Sequence, residues 1–332
     1  MKVLITRKFF DEDIAYLRRG LLEGIDLIIP SDYSEMSLTR LIPQANVLLG
    51  NLITENLLLA AKKLAFIQIP WTGIDFLNFD LLSRFNIIVC NSHSNSLAVA
   101  EHAVSLMLDA AKKLSYHDRL LREGRWNKFD SELVAEVTPF SMQVSESRVG
   151  IIGFGSIGEK IYTLLKGFNC RFKIFTREKK SLTTTNSAFF SGDKIIDNLS
   201  DISFLFVCVP LTQLTKNMID YQFLSRMNEN AVLINISRGE VINEEDLFNA
   251  LKNRIIAFAA IDTWYNYPTR NNPRAFPSGR FDYHKLDNIV LSPHRAGYVI
   301  DRLPHLDDAI ENINRFYSGK ALKNIISLTN RY

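Results

Sequence analysis

The sequence predicts an α/β protein built as two parallel-sheet domains with a cleft between them. Two observations carry this. Short apolar runs alternate with helix-like segments along nearly the whole 332-residue chain, which is the rhythm of strand–helix–strand units paired in parallel. A long predicted helix from Ser96 to Glu123, followed by a less regular stretch from Asn127 to Arg148, divides that rhythm into two series.

In the first series "KVLIT", "DLIIP", "NVLLG", "AFIQIP" and "NIIVC" read as strands, with helical stretches such as "TENLLLAAKKL" between them. The long helix, "SLAVAEHAVSLMLDAAKKLSYHDRLLRE", repeats apolar residues at helical spacing, and Gly124 follows as a stop. In the second series "RVGIIG", "RFKIFT", "SFLFVCVP", "AVLINIS", "AFAAIDTW" and "NIVLSPH" are the strand candidates. Their nearly unbroken apolar character suits strands buried on both faces. "LDDAIENINRFYSG" reads as a C-terminal helix, and no internal repeat or low-complexity tract is present. A cleft between two such units is a place for a small molecule.

Composition removes several classes of function. The chain has 39 basic and 36 acidic residues, a net charge of +3. That balance argues against a role driven by charge on nucleic acid or a membrane surface. No run of about 18 apolar residues exists to span a bilayer. The opening "MKVLITRKFF" lacks an apolar region of signal-peptide length. Cys90, Cys170 and Cys208 are far apart, so neither disulfides nor a metal site is expected. A reducing cytoplasm is the expected compartment.

The first motif with chemistry in it is "VGIIGFGSIGEKIYTLL", which holds Gly153-x-Gly155-x-x-Gly158 between an apolar strand and a helix. Such a turn presents a pyrophosphate site. Gly153 permits the tight turn, Gly155 lets backbone approach the phosphates, and Gly158 lets helix and strand pack closely. The amides around Phe154, Ser156 and Ile157 then face the anion at the positive end of the helix. At the end of the next strand, where an acidic residue would bind a ribose 2′-hydroxyl, stand Thr176 and Arg177, followed by Glu178, Lys179 and Lys180. A guanidinium pairs with a 2′-phosphate, so NADP(H) is expected over NAD(H).

Six further stretches occur in an order that resembles the D-isomer-specific 2-hydroxyacid dehydrogenases, with a glyoxylate/hydroxypyruvate reductase-like cast. They are "PWTGIDFLNFD", "VCNSHSNSLAVAEHAVSLML", "LREGRW", "LSDISFLFVCVPLTQLTKNMI", "LINISRGEVINEEDLFNAL" and "LSPHRAG". The resemblance runs from about Ala45 to Gly297. It implies a Rossmann-like dinucleotide-binding domain over residues 98–294. Residues 1–97 and 295–332 would form a flavodoxin-like substrate-binding domain. It further implies a homodimer and a small 2-keto or 2-hydroxy acid as partner. The cofactor is then expected to pass Cys208, Val209, Pro210 and Thr215, then Ile236, Ser237 and Arg238, then Asp262, His294, Ala296 and Gly297. The loop Trp71, Thr72 and Gly73 would offer amides to the substrate carboxylate, with Trp71 either narrowing the pocket or packing beside the hinge.

Arg238 and His294 also stand on their own chemistry. Each follows a predicted strand, where parallel sheets gather their ligands. A fixed guanidinium can hold a carboxylate and polarise a carbonyl. A histidine can give a proton to an alkoxide and take it back. The other five histidines, His93, His102 and His305 among them, are expected to be structural.

One position departs from the family pattern. D-x-[FW]-x-x-E-P becomes Asp262-Thr-Trp264-Tyr-Asn-Tyr267-Pro268. The glutamate that would face the catalytic histidine is Tyr267, which can orient the ring but cannot stabilise an imidazolium as an anion does. Two readings follow: an NAD(P)H-dependent 2-keto acid reductase in which Tyr267 joins Arg238 and His294, or a degenerate member that senses nicotinamide cofactor and binds a protein. The segment from Tyr265 to Asp287, with Arg270, Arg274 and Arg280, reads as a solvated loop or as a lid or interface arm.

Overall fold

The computed structural model describes residues 1–126, 141–177, 186–299 and 303–329. The chain divides into two compact units, Met1–Ser96 with Gly297–Tyr332, and Leu97–Ala296.

In the first unit β1 (Lys2–Ile5), β2 (Asp26–Ile28), β3 (Val47–Leu49), β4 (Phe66–Gln68) and β5 (Ile88–Cys90) form one parallel sheet in the order β2-β1-β3-β4-β5. Apart from Lys2, Asp26 and Gln68 the strand residues are apolar, because both faces are covered. Leu4, Leu48, Ile67 and Val89 point into one cluster, while Val3, Ile5, Val47, Leu49 and Phe66 point into the other. The connecting helices are α1 (Asp11–Gly20), α2 (Glu35–Leu41), α3 (Glu55–Ala60) and α4 (Phe79–Leu82). Ser34, Thr54 and Asn78 cap the last three by accepting a backbone N–H, which is why a short polar residue precedes each.

The second unit carries β6 (Arg148–Ile152), β7 (Arg171–Thr176), β8 (Ser187–Ser191), β9 (Phe204–Val207), β10 (Val232–Asn235), β11 (Phe258–Ile261) and β12 (Ile289–Leu291). All pair in parallel, in the order β12-β11-β10-β9-β6-β7-β8. Strand order reverses between β6 and β9, so the crevice at their carboxyl ends lies beside the glycine turn. Val149, Ile151, Phe206 and Ile234 face one core with α5 (Ser96–Lys112) and α7 (Ser156–Leu165); Ile152, Leu205, Val207 and Leu233 face the other with α8 (Tyr221–Arg226) and α9 (Glu244–Lys252).

Two elements differ from the sequence expectation. β8 was not foreseen. It is an edge strand, "SAFFS", only half-buried, and so lacks the apolar run that marks its neighbours. The long helix is broken: α5 ends at Lys112 and α6 (Leu114–Arg122) follows, with Lys113 in the left-handed region at φ 58°. Lys113 is buried, its Nζ 3.7 Å from the centre of the Phe258 ring. The Ser115 N–H donates to Asp109 Oδ1 at 2.7 Å, closing the break on the other side. Burial, aided by Arg254, pushes the Lys113 ammonium down to about 8.

The chain then returns to the first unit as α10 (Pro304–Tyr317), which lays Leu306, Ala309 and Ile313 on Val3 and Ile5. Asn312 is fully buried and ties the helix to the sheet, its Nδ2 donating to Gln68 Oε1 at 2.9 Å. Among the described residues no helix is long and apolar enough to cross a membrane.

Candidate active site

The glycine turn has the geometry its motif requires. Gly153 sits at φ +90°, and a Cβ there would lie 2.7 Å from the Cys208 carbonyl oxygen. At Gly158 a Cβ would lie 2.3 Å from the Gly153 carbonyl oxygen, so the first turn of α7 rests directly on the loop. Gly155 is different: a Cβ there would meet no atom within 4 Å. Its side is open, as backbone that must admit a ligand would be. No side chain caps α7, and among the described residues the N–H groups of Gly155, Ser156, Ile157 and Gly158 have no protein acceptor. Four unpaired donors at a helix N-terminus suit a pyrophosphate. The site therefore fits a dinucleotide.

Other expected cofactor neighbours line the same edge of this sheet. Thr176 ends β7 and Arg177 follows it, exposed. Lys179 and Lys180, with Glu178, lie outside the described residues. Cys208, Val209 and Pro210 follow β9, with the Cys208 N–H on the Ile152 carbonyl at 2.8 Å. The Thr215 hydroxyl donates to the Pro210 carbonyl at 2.6 Å and so shapes this loop. Ile236 is buried, whereas Ser237 and Arg238 are half-buried.

Three adjacent strands deliver the polar residues. At the end of β10, Asn235 is buried and works in two directions. Its Oδ1 accepts from the Ser237 N–H at 3.0 Å and hydroxyl at 2.8 Å; its Nδ2 donates to the Arg238 carbonyl at 2.9 Å. The turn carrying Arg238 is thus fixed, and Arg238 Nη1 donates to the Ser237 carbonyl at 2.8 Å. Gly239 follows because a Cβ there would lie 2.5 Å from the Trp264 carbonyl oxygen. That close approach sets the Arg238 turn against the segment after β11.

The segment after β11 is anchored by Trp264. Its indole donates to the Ser292 carbonyl at 2.7 Å, and its backbone N–H donates to the Tyr267 hydroxyl oxygen at 2.9 Å. Tyr267 lies beside His294, ring centroids 5.6 Å apart at 49°. The residue that stands for the family's glutamate therefore occupies the neighbourhood of the histidine. His294 is exposed and sits at φ 57°. A left-handed backbone costs about 1–2 kcal/mol for such a residue, and it persists where surrounding structure enforces it.

The enforcing group is Asp262, fully buried just after β11. Its carboxylate accepts from the Ser292 hydroxyl, from the Arg295 N–H at 2.9 Å and from the Ala296 N–H at 3.2 Å. These partners bracket His294. Burial alone would raise the Asp262 pKa; hydrogen bonds from His102, Ser292, Arg295 and Ala296 outweigh it and hold the group at about 2. His102, on α5, bonds the Ser292 hydroxyl through Nε2 at 2.9 Å and lies 3.5 Å from Asp262. A histidine read as structural from sequence is thus joined to the histidine turn through Ser292, and Asn235 holds the Arg238 turn; no role was assigned to Ser292 or Asn235. Asn-x-Ser before Arg238 is the only local signal, an Asx-turn spacing; nothing in the chain links residues 102, 262 and 292.

The Arg-bearing loop is partly packed. Arg280 pairs with Glu245 at 3.2 Å, the Ser278 hydroxyl donates to Glu244, and Phe281 stacks on Phe248 at 5.0 Å. Arg270 and Arg274 are exposed.

In the first unit, the loop after β4 is half-buried and held by its neighbours. Asn91 Nδ2 donates to the Thr72 carbonyl at 2.7 Å, and the Thr72 hydroxyl donates to the Ser92 carbonyl at 2.8 Å. Among the described residues the N–H groups of Thr72 and Gly73 have no acceptor, leaving two donors for an anion. Gly297 lies in this unit, where a Cβ would sit 2.8 Å from Asn95 Nδ2.

Residues 104–296 match the family model of the D-isomer specific 2-hydroxyacid dehydrogenase NAD-binding domain. The chain belongs to the D-isomer-specific 2-hydroxyacid dehydrogenase family. Its members are NAD(P)-dependent oxidoreductases, and this chain is an enzyme of that kind. It is 29% identical over 289 residues to a glyoxylate/hydroxypyruvate reductase of Arabidopsis thaliana, covering 86% of this chain and 83% of that one. It is 32% identical over 239 residues to a glyoxylate reductase of Pyrococcus horikoshii, covering 70% of this chain and 67% of the relative. Its fold matches the NADPH-dependent glyoxylate/hydroxypyruvate reductase of Sinorhizobium meliloti, solved with NADP and sulfate. There the TM-score is 0.81 at 18% identity, over 100% of this chain and 99% of the other.

Two predictions follow from the geometry. Gly155→Ala will keep the wild-type melting temperature yet weaken NADPH binding at least about tenfold, because the new methyl group occupies ligand space. Gly158→Ala will itself destabilise the fold by about 1–3 kcal/mol through overpacking; thermal melting and fluorescence titration of both proteins separate the two effects.

The second concerns Asp262. Its folded pKa lies below the unfolded value, from 3.8 to about 2, so the stability it contributes is present above pH 4 and lost as pH falls through its folded pKa. Asp262→Asn will cost about 2 kcal/mol at neutral pH, and the gap to wild type will narrow at pH 3. Urea unfolding at the two pH values measures it; an equal gap at both would show that the charge of Asp262 contributes nothing.

Proposed function

We propose that this enzyme reduces a 2-keto acid to a D-2-hydroxy acid with NADPH as the preferred donor. The observation that carries the reading is the grouping of Arg238, Tyr267 and His294 at the ends of three adjacent strands, on the same sheet edge as the open glycine turn. Gly153–Gly158 would hold the pyrophosphate, and Arg177 the 2′-phosphate. The bound nicotinamide supplies the hydride. Arg238 pairs with the substrate carboxylate and polarises the keto oxygen. His294 delivers the proton to the keto oxygen and recovers it in the reverse direction. Asp262, with Ser292 and His102, positions His294. Relatives named as reductases favour catalysis over the protein-binding alternative. The reading includes a homodimer in the cytoplasm; the three free thiols suit a reducing compartment.

The direct test is oxidation of NADPH across a panel of 2-keto acids. Turnover with none of them, using either cofactor, would overturn the reading. Cofactor choice has its own variant. Arg177→Asp replaces a guanidinium–phosphate pair by repulsion, so NADPH affinity will fall while NADH affinity holds or rises. Wild-type protein that binds NADH as tightly as NADPH in titration would remove Arg177 from this role.

Tyr267 is expected to tune catalysis. Reduction needs the protonated histidine, so its rate falls as pH rises past the histidine pKa. Tyr267→Glu places an anion near the imidazolium and will move that fall to higher pH, each unit corresponding to about 1.4 kcal/mol. Tyr267→Phe will lower activity only as far as the hydroxyl orients the site. The measurement is kcat/KM against pH for the three proteins, and superimposable profiles would mean that position 267 does not act on His294.

A further inference from the structure

In the first unit α1 and α10 lie side by side and run the same way. The Tyr16 hydroxyl donates to Asp307 Oδ1 at 2.6 Å, and further along both helices Asn314 Nδ2 donates to the Gly20 carbonyl at 2.8 Å. Gly20 permits this approach, since a Cβ there would lie 2.8 Å from the Ile310 side chain. Between the two helices runs a surface cleft of about 580 Å³, a volume in the range of small-molecule sites. Just past α1 the Gly24 carbonyl accepts from the Met1 ammonium at 2.6 Å, which sets this end of the helix beside the start of β1. The cleft therefore lies toward the amino ends of the strands, away from the edge where parallel sheets gather their ligands.

The acceptors lining the cleft are already engaged. Asp307 takes the Tyr16 hydroxyl, and Asn314 Oδ1 takes the Leu22 N–H at 3.0 Å. Glu311 takes Lys323 Nζ at 2.8 Å and Arg315 Nε at 2.9 Å, and these hydrogen bonds hold its carboxyl below the usual range. Basic side chains in a last helical turn often serve the final carbonyls, but backbone N–H groups fill that need here: Leu21 bonds the Leu17 carbonyl, Ser318 that of Asn314, Lys320 that of Arg315 and Gly319 that of Phe316. Arg19 and Lys320 also line the cleft, exposed, and among the described residues neither side chain has a hydrogen bond or an ion pair. The cleft thus has donors to spare and acceptors spent. Leu22 and Ile310 add apolar surface to its lining. A phosphate monoester carries a charge of about −1.5 to −2 at neutral pH, which two cations balance, and a guanidinium fork matches its oxygens.

We propose that this cleft binds a small phosphate monoester, with its phosphate on Arg19 and Lys320 and its apolar body on Leu22 and Ile310. Every residue of the site belongs to the first unit, and the site stands independently of the reductase reading.

The experiment is calorimetric titration of the full-length protein with phenyl phosphate, in saturating NADP⁺ so that the glycine turn is already filled. One molecule will bind per chain, at least about tenfold more tightly than inorganic phosphate, which lacks the apolar body. Binding will also raise the melting temperature, as any ligand of the folded state does. Arg19→Gln combined with Lys320→Gln will weaken phenyl phosphate at least about tenfold while the unliganded protein melts as wild type does, because both side chains are exposed. Leu22→Ser will bring phenyl phosphate toward the affinity of inorganic phosphate, and Arg238→Gln will leave its binding unchanged. Absence of binding in wild type, or binding that survives the double substitution, overturns the proposal. So does equal affinity for phenyl phosphate and inorganic phosphate, which marks an adventitious anion only, and so does binding that is lost in Arg238→Gln.

Discussion

The buried carboxylate of Asp262 is the constraint on which the rest of the candidate site depends. A carboxylate taken out of water is costly unless donors surround it, and here the donors are the Ser292 hydroxyl and the amides of Arg295 and Ala296. Because those amides come from a turn, satisfying the charge also fixes the turn. His294 is thereby held at a positive φ that its own preferences disfavour. The charge of a residue that makes no claim to chemistry is thus converted into the placement of one that does. His102 extends the same logic onto α5.

The second ordering principle is contact of backbone with backbone. At Gly158 and Gly239 a single methyl group would collide with a carbonyl oxygen of another segment. The first contact seats α7 on the phosphate turn; the second presses the Arg238 turn against Trp264. Side-chain packing tolerates adjustment through rotamers, whereas a carbonyl in van der Waals contact does not. The positions of the reactive side chains are therefore inherited from main-chain geometry, and Asn235 and Trp264 complete the frame with hydrogen bonds to main-chain groups.

The parallel sheets were legible because a strand covered on both faces runs apolar through its length, as Phe204–Val207 and residues 232–234 do. β8 was illegible for the converse reason: an edge strand with serine and phenylalanine only half-buried leaves no such run. The break at Lys113 carries neither glycine nor proline, and only the reach of its side chain to Phe258 marks it. The glycine turn, Arg238 and His294 were visible because local sequence determines local backbone. The links from His102 to Ser292 and from Asp262 to Arg295 span distances in the chain that no periodicity records, so a buried carboxylate could be noticed but its partners could not.

Tyr267 shows how a substitution can exchange charge for position. A glutamate beside an imidazole has lone pairs and no proton to give, so it rewards the ring for being charged. The neutral phenol brings no such charge. Its oxygen accepts the Trp264 N–H, which ties the residue to the main chain after β11 with its ring 5.6 Å from that of His294. What a carboxylate would hold by attraction is bordered here by an aromatic wall whose place the backbone sets.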